Sequence, residues 1–208
     1  MIAGGLTVLR HARVKVPRGV CYGAEDVPHS RSHTAEVAAA FVAQAGTGLP
    51  VRVRVSPRTR CRALWRDVAG HWALDESGQH PTDGARLAVV VDARVAEMDF
   101  GSWEGQAWGE IPEAEMTVWT DDFLNHRCGG RESVRMFLAR MLDAWHEDRA
   151  LGGPVLWVAH AGVLRGLTVL ERHGWHLPGT LLAADWPKEA LEFGAWQTFG
   201  GMGANVGG

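Results

Sequence analysis

The chain of 208 residues is 46% hydrophobic and 22% charged, a globular balance that can bury one substantial core. Its formal charge of −3 supplies no basic excess for neutralising a nucleic-acid backbone, which argues against a nucleic-acid partner. No apolar run approaches the roughly 20 residues of a membrane span, and the opening MIAGGLTVLRHAR lacks a basic leader before a long apolar core, so a cytoplasmic protein without membrane attachment is expected.

Taken in order, short apolar runs alternate with longer amphipathic ones. That pattern predicts an α/β fold in three layers, with helices on both faces of a mostly parallel central sheet. The first strand is LTVL at 6–9, followed at once by Arg10 and His11. An alanine-rich helix follows at 33–45 with Val37, Phe41 and Val42 inward. Strands come next at 51–55 (VRVRV) and 88–91 (AVVV). Only VRVRV alternates cleanly between apolar and polar residues, which suggests a position nearer the sheet edge than the other strands.

Residues 104–126 read as a helical insertion over the sheet, interrupted at Pro112 because proline suits a first turn and disrupts a helix interior. The strongest helix is 132–149, where Val134, Phe137, Leu138, Met141, Leu142 and Trp145 form one core stripe. A strand at 155–158 (VLWV), a helix at 162–173 stopped by Gly174, and a strand at 195–199 complete a single domain over 1–199. The remainder, 200–208, has almost nothing to bury and reads as a flexible tail.

Cys21, Cys61 and Cys128 have neither zinc-site nor disulfide spacing, and read as reduced thiols. None of the ten histidines has HExxH spacing, and the closest pair, His173 and His176, flanks the helix stop at Gly174. No metal and no cofactor are expected. The ten tryptophans should be core or pocket wall.

Polar clusters follow three of the strands directly: Arg10 and His11 after LTVL, Ser56 to Arg60 after VRVRV, and His160 after VLWV. Residues just past the carboxyl ends of parallel strands meet in one crevice, so these distant segments should converge. Two arginines and two histidines together suit a phosphoryl group. Guanidinium forks pair with its oxygens, and imidazole offers a nitrogen nucleophile near neutral pH.

The same residues carry a family resemblance. LRHAR, SPRTRCRAL, EMDFGSWEG, GGRESV and VAHAGVLR resemble, in the same order, five motifs of the histidine phosphatases and phosphoglycerate mutases. VCYGAEDVP at 20–28 and EFGAWQTF near the end are similar to segments of the α-ribazole phosphatase subgroup and its bacterial relatives. The resemblance implies that His11 is the nucleophile, Arg10 and Arg60 clamp the phosphate, His160 stabilises the transferring group, and Glu97 is the proton donor. Glu104 is the rival carboxylate and Asp99 a minor one; Ala161 and Gly162 leave no acid directly after His160.

Other positions depart from the family pattern. Alanine replaces the customary glycine at Ala12 and Ala161, adding a methyl where backbone should approach the phosphate. Arg13 stands where many relatives carry glutamate, so that it either charges the pocket mouth or points to solvent. Arg131 shifts the GGRESV register by one residue; Ser133 is then either a phosphate ligand or the cap of the next helix.

The reaction expected is hydrolysis of a small phosphomonoester through a phosphohistidine, without a metal, releasing inorganic phosphate. Two other readings stand beside it: a phosphoglycerate mutase-type transfer, which would need a lid against water, and a catalytically silent protein that binds a phospho-ligand or a partner. Tyr22, Trp103, Trp108 and Trp119 lie in segments expected to border the pocket, where aromatic faces could stack on a flat substrate such as α-ribazole 5′-phosphate. No feature of the chain specifies an oligomeric state.

Overall fold

The computed structural model describes residues 5–46, 48–80, 86–189 and 191–200. Most of the stretch read as a tail, from residue 201 on, lies outside the described residues. The elements run β1 (Leu6–Arg10), α1 (Arg31–Ala45), β2 (Arg52–Val55), α2 (Thr59–His71), β3 (Ala88–Val91), α3 (Glu113–Asp121), β4 (Arg127–Cys128), β5 (Glu132–Ser133), α4 (Val134–Leu151), β6 (Val155–Ala159), α5 (Ala161–Arg172) and β7 (Trp196–Phe199). Among the described residues no helix is long and apolar enough to cross a membrane.

The sheet has the order β3-β2-β6-β1-β7. The pairs β3 with β2, β2 with β6 and β6 with β1 are parallel, while β7 runs antiparallel to β1. This is the expected α/β architecture. Side chains alternate across it with the strand period of 2. Leu6 and Val8 of β1, with Val155 and Trp157 of β6, pack toward α4 and α5, whereas Leu9, Leu156 and Val158 pack toward α1 and α2. Both central strands are covered on both faces, which is why they read as nearly continuous apolar runs.

The helices differ from expectation at instructive places. Helix α2 was not legible as one: the polar Thr59, Arg60 and Arg62 crowd its first turn, and its buried stripe, Cys61, Leu64, Trp65 and Val68, is interleaved with them. Glu132 and Ser133 pair with Arg127 and Cys128 as a small antiparallel ribbon, so α4 begins at Val134 with its whole predicted stripe buried. Pro112 directly precedes α3, after a separate helical turn at Trp108–Glu110. Helix α5 ends at Arg172, with Gly174 just beyond it in the left-handed region at φ 62°.

The reading of VRVRV as nearer the edge is overturned. β3 and β7 are the edges, and Val90 and Val91 of β3 stand exposed, while β2 lies between β3 and β6. The alternation does not mark a solvent face. Arg54 is 1% exposed and spans Asp148 of α4 through Nε (2.6 Å) and Nη2 (2.8 Å), while its Nη1 donates to Asp92, just past β3. Trp157 Nε1 donates to the same Asp148 (2.7 Å), and Arg52 and Arg94 both reach Glu147. A charge buried this deep is tolerable only when paired on every side.

Candidate active site

The carboxyl ends of β1 and β6, with the segment around Glu97 after β3, open into a cavity of about 320 Å³. Arg10, His11, Tyr22, Glu97, Ala161, Gly162 and Arg165 line its polar part. The parallel register fixes this convergence: Arg10 pairs across from Ala159, so His11 and His160 both fall one residue past the sheet. Their rings lie 5.2 Å apart, edge to face at 63°.

His11 is 2% exposed, and its Nδ1 lies 2.7 Å from the carbonyl oxygen of Ala12. A carbonyl has no proton to give, so Nδ1 carries the hydrogen, and in a neutral ring Nε2 keeps a free lone pair. Burial holds the His11 pKa well below its ordinary value, helped by the Arg60 guanidinium. His160, fully buried, is depressed in the same way, by burial first and then by Arg60 and His11. Its Nε2 lies 2.7 Å from Ser56 Oγ. Tyr22 is pushed up, chiefly by burial, and keeps its phenolic proton.

These shifts have a consequence for stability. An unfolded chain protonates both histidines near pH 6.5, whereas the folded one resists, so their contribution is complete above about 6.5 and lost as pH falls below it. Below that point each should cost about 1.4 kcal/mol per pH unit until it titrates in the fold. Chemical denaturation between pH 7 and 5 should show this slope, and His160→Gln should flatten it by one proton's share; an unchanged slope would contradict two neutral buried rings.

The arginines are anchored by main chain. Arg10 Nη1 donates to the Leu191 carbonyl, and its guanidinium stacks 4.0 Å from the Phe193 ring centroid. Arg60, 0% exposed, donates to the carbonyls of Glu25 (2.7 Å) and Gly23 (2.8 Å) behind Tyr22. The Nε atoms of Arg10, Arg60 and Arg165 are buried with no acceptor. Arg60 and His160 are not part of the cavity wall; they lie buried beside the wall-forming residues.

The two rival carboxylates occupy different roles in the structure. Glu97 faces the cavity, with Oε2 accepting from the Gly162 amide (2.9 Å) at the start of α5 and Oε1 from its own neighbour Met98 (3.0 Å). Glu104 instead accepts the amides of Ala24 (2.8 Å), Glu25 (2.7 Å) and Phe100 (3.0 Å), tying the 23–25 loop in place outside the cavity. Asp99 caps its own turn through the Gly101 amide.

Several expected pocket residues fall elsewhere. Arg13 is exposed and off the cavity wall, and Ser133 is buried as the cap of α4, accepting from the Met136 amide at 3.3 Å. The Ala12 methyl belongs to the core beneath α1, so only Ala161 brings its extra carbon to the cavity. Tyr22, Trp108 and Trp119 do line it, and Trp103 is buried behind them.

Arg165 and the wall residues Phe100, Phe123 and Trp186 had not been singled out; Arg165 closes the VAHAGVLR motif, one turn after Ala161, which was its available signal. Arg140 was missed as well. From α4 it donates to the carbonyls of Arg94, Ala96 and Glu97 (2.8, 2.8 and 2.9 Å) and to Glu132, so it fixes the backbone that presents Glu97.

Solved structures share this fold. The mycobacterial glucosyl-3-phosphoglycerate phosphatase superposes with a TM-score of 0.69 at 22% identity, covering 93% of this chain and 88% of that one. YhfR of Bacillus stearothermophilus gives 0.70 at 20% identity, with coverage of 94% and 92%. The α-ribazole phosphatase of Shigella flexneri gives 0.63 at 20% identity, with coverage of 92% and 87%. No curated protein sequence matches the chain. Residues 6–177, the span that carries His11, Glu97 and His160, match the model of the histidine phosphatase superfamily (branch 1), and the chain belongs to that superfamily.

Proposed function

We propose that the protein hydrolyses a small phosphomonoester through a phosphohistidine on His11, without a metal. The observation that carries this reading is the His11 ring on the cavity wall, whose Nδ1–H is committed to the Ala12 carbonyl and whose Nε2 is left free near the Arg10 and Arg60 guanidiniums. In the first half-reaction Nε2 bonds to phosphorus as the ester P–O bond breaks, and Glu97 gives a proton to the departing alkoxide. In the second, Glu97 takes a proton from water, whose oxygen attacks phosphorus; the P–N bond breaks and inorganic phosphate leaves. Arg10, Arg60 and His160 offset the charge that spreads over the equatorial oxygens.

A cationic cluster of this kind supplies what a bound metal would otherwise provide. Turnover of p-nitrophenyl phosphate is expected to survive excess chelator and to be inhibited by orthovanadate, which imitates five-coordinate phosphorus. Loss of activity in chelator with recovery on adding a divalent ion would overturn the metal-free mechanism.

Gly162 gives a test of the Glu97 role that spares the nucleophile. A Cβ built on it would stand 2.0 Å from Glu97 Oε1, the movable end of a flexible side chain. Gly162→Ala should therefore fold normally, since alanine suits a helix, while the carboxylate is displaced. We expect kcat/KM for an alkyl phosphate to fall by about tenfold or more with an unchanged melting temperature; full activity would argue against Glu97 as the proton donor.

The substrate proposed is a phosphomonoester with a flat aromatic portion, α-ribazole 5′-phosphate being the named candidate. Its support is the VCYGAEDVP segment, which places Tyr22 on the cavity wall, together with Trp108 and Trp119 on the same wall. Comparing kcat/KM for α-ribazole 5′-phosphate and 3-phosphoglycerate tests it, and a clear preference for the latter would sink it.

A further inference from the structure

The cavity wall is divided by chemistry. One part holds Arg10, His11, Tyr22, Glu97 and Arg165; the other is a continuous chain of ring contacts. Phe100 meets Trp108 at 5.2 Å, Trp119 meets Phe123 at 5.1 Å, and Phe123 meets Trp186 at 5.7 Å. Trp108 and Trp119 lie within 17° of parallel at 6.5 Å, and both stand nearly perpendicular to Trp103. Trp103 is itself fixed, because its Nε1 donates to Glu115 (2.6 Å). Serine, threonine, asparagine and glutamine are all absent from the described cavity wall.

We infer that the enzyme recognises the alcohol portion of its substrate chiefly by aromatic surface and discriminates against polyhydroxylated alcohols. This rests on the hydrolase reading above. A ring laid against the tryptophans loses apolar surface to the protein and gains favourable ring contacts. A sugar brings several hydroxyls to the same place, each stripped of water, and among side chains the aromatic wall offers them indole N–H groups such as the unpaired Trp119 Nε1 but no hydroxyl or amide. The substrate class that fits is an aryl or arylalkyl phosphate, and a ribose between ring and phosphate is tolerated as a spacer without adding affinity.

Three esters of alkyl-type alcohols separate recognition from leaving-group reactivity: 2-(1-naphthyl)ethyl phosphate, n-propyl phosphate and glucose 6-phosphate. With the full chain, kcat/KM for the naphthyl ester should exceed that for glucose 6-phosphate by at least about 100-fold, equivalent to about 2.7 kcal/mol. Trp119→Ala should cost the naphthyl ester at least tenfold more than it costs n-propyl phosphate, a ratio that an overall folding defect would leave unchanged. Glucose 6-phosphate turned over as well as the naphthyl ester, or an unchanged ratio in Trp119→Ala, would overturn the inference while leaving the hydrolase intact. Failure to hydrolyse any of the three, or p-nitrophenyl phosphate, would remove the hydrolase reading itself.

Discussion

His11→Ala is expected to lower turnover of p-nitrophenyl phosphate by at least about 10⁴-fold and to abolish an acid-labile phosphoenzyme. The size follows from what is lost: covalent catalysis divides one difficult displacement into two easier ones, and no neighbour can take over. Among the described residues, His160 is the other imidazole in contact with it, and it lies buried off the cavity wall with its Nε2 against Ser56. Glu97→Gln should behave differently. A nitrophenolate departs without much proton assistance, whereas an alkoxide requires it, so the defect should be several times larger for n-propyl phosphate than for p-nitrophenyl phosphate. Rapid mixing with p-nitrophenyl phosphate, whose leaving group needs little proton assistance, should trap phosphoenzyme in Glu97→Gln and none in His11→Ala. A phosphoenzyme in His11→Ala would assign the nucleophile elsewhere, and equal defects of Glu97→Gln on both esters would remove Glu97 from proton transfer.

The second large effect lies away from the cavity. Asp148→Ala should destabilise the protein by about 3–5 kcal/mol, because it leaves Arg54 charged and buried with one side unpaired. In a domain of this size that corresponds to a melting temperature lower by roughly 6–20 °C. The loss should not be confined to packing: Arg54 also holds Asp92, which opens the turn leading to Glu97. Replacing Arg54 and Asp148 together with Met and Leu should recover much of the stability, since removal of a whole buried pair leaves no orphaned charge. Urea denaturation of the two variants decides this. A single-site loss below about 1 kcal/mol would mean that water reaches the pair and that its burial matters little.

The sheet and the position of the candidate nucleophile were legible because they depend on short stretches of chain. Strands covered on both faces run nearly continuously apolar, so LTVL and VLWV announced themselves, and polar residues directly after such strands emerge at the carboxyl edge. Arg10, His11 and His160 could be located on that rule, and the ordered motifs supplied their chemistry.

What needed the tertiary structure was every question of partnership. Arg54 looked like the solvent face of an alternating strand because its acids lie 38 and 94 residues away, and no local period reports a partner at that distance. Glu97 and Glu104 are the same side chain seven positions apart in one motif; only the packing of α5 against one and of the 23–25 loop against the other separates them. Ser133 could ligate or cap with equal local sense, and the ribbon it forms with Arg127 settled its direction. The sequence by itself determined the fold class, because that follows from residue type and periodicity, and its ordered motifs carried the resemblance on which the proposed reacting groups rest. The tertiary structure decided which charges are paired, which carboxylate faces the cavity and which rings make its wall, because those depend on the register and packing of segments far apart in the chain.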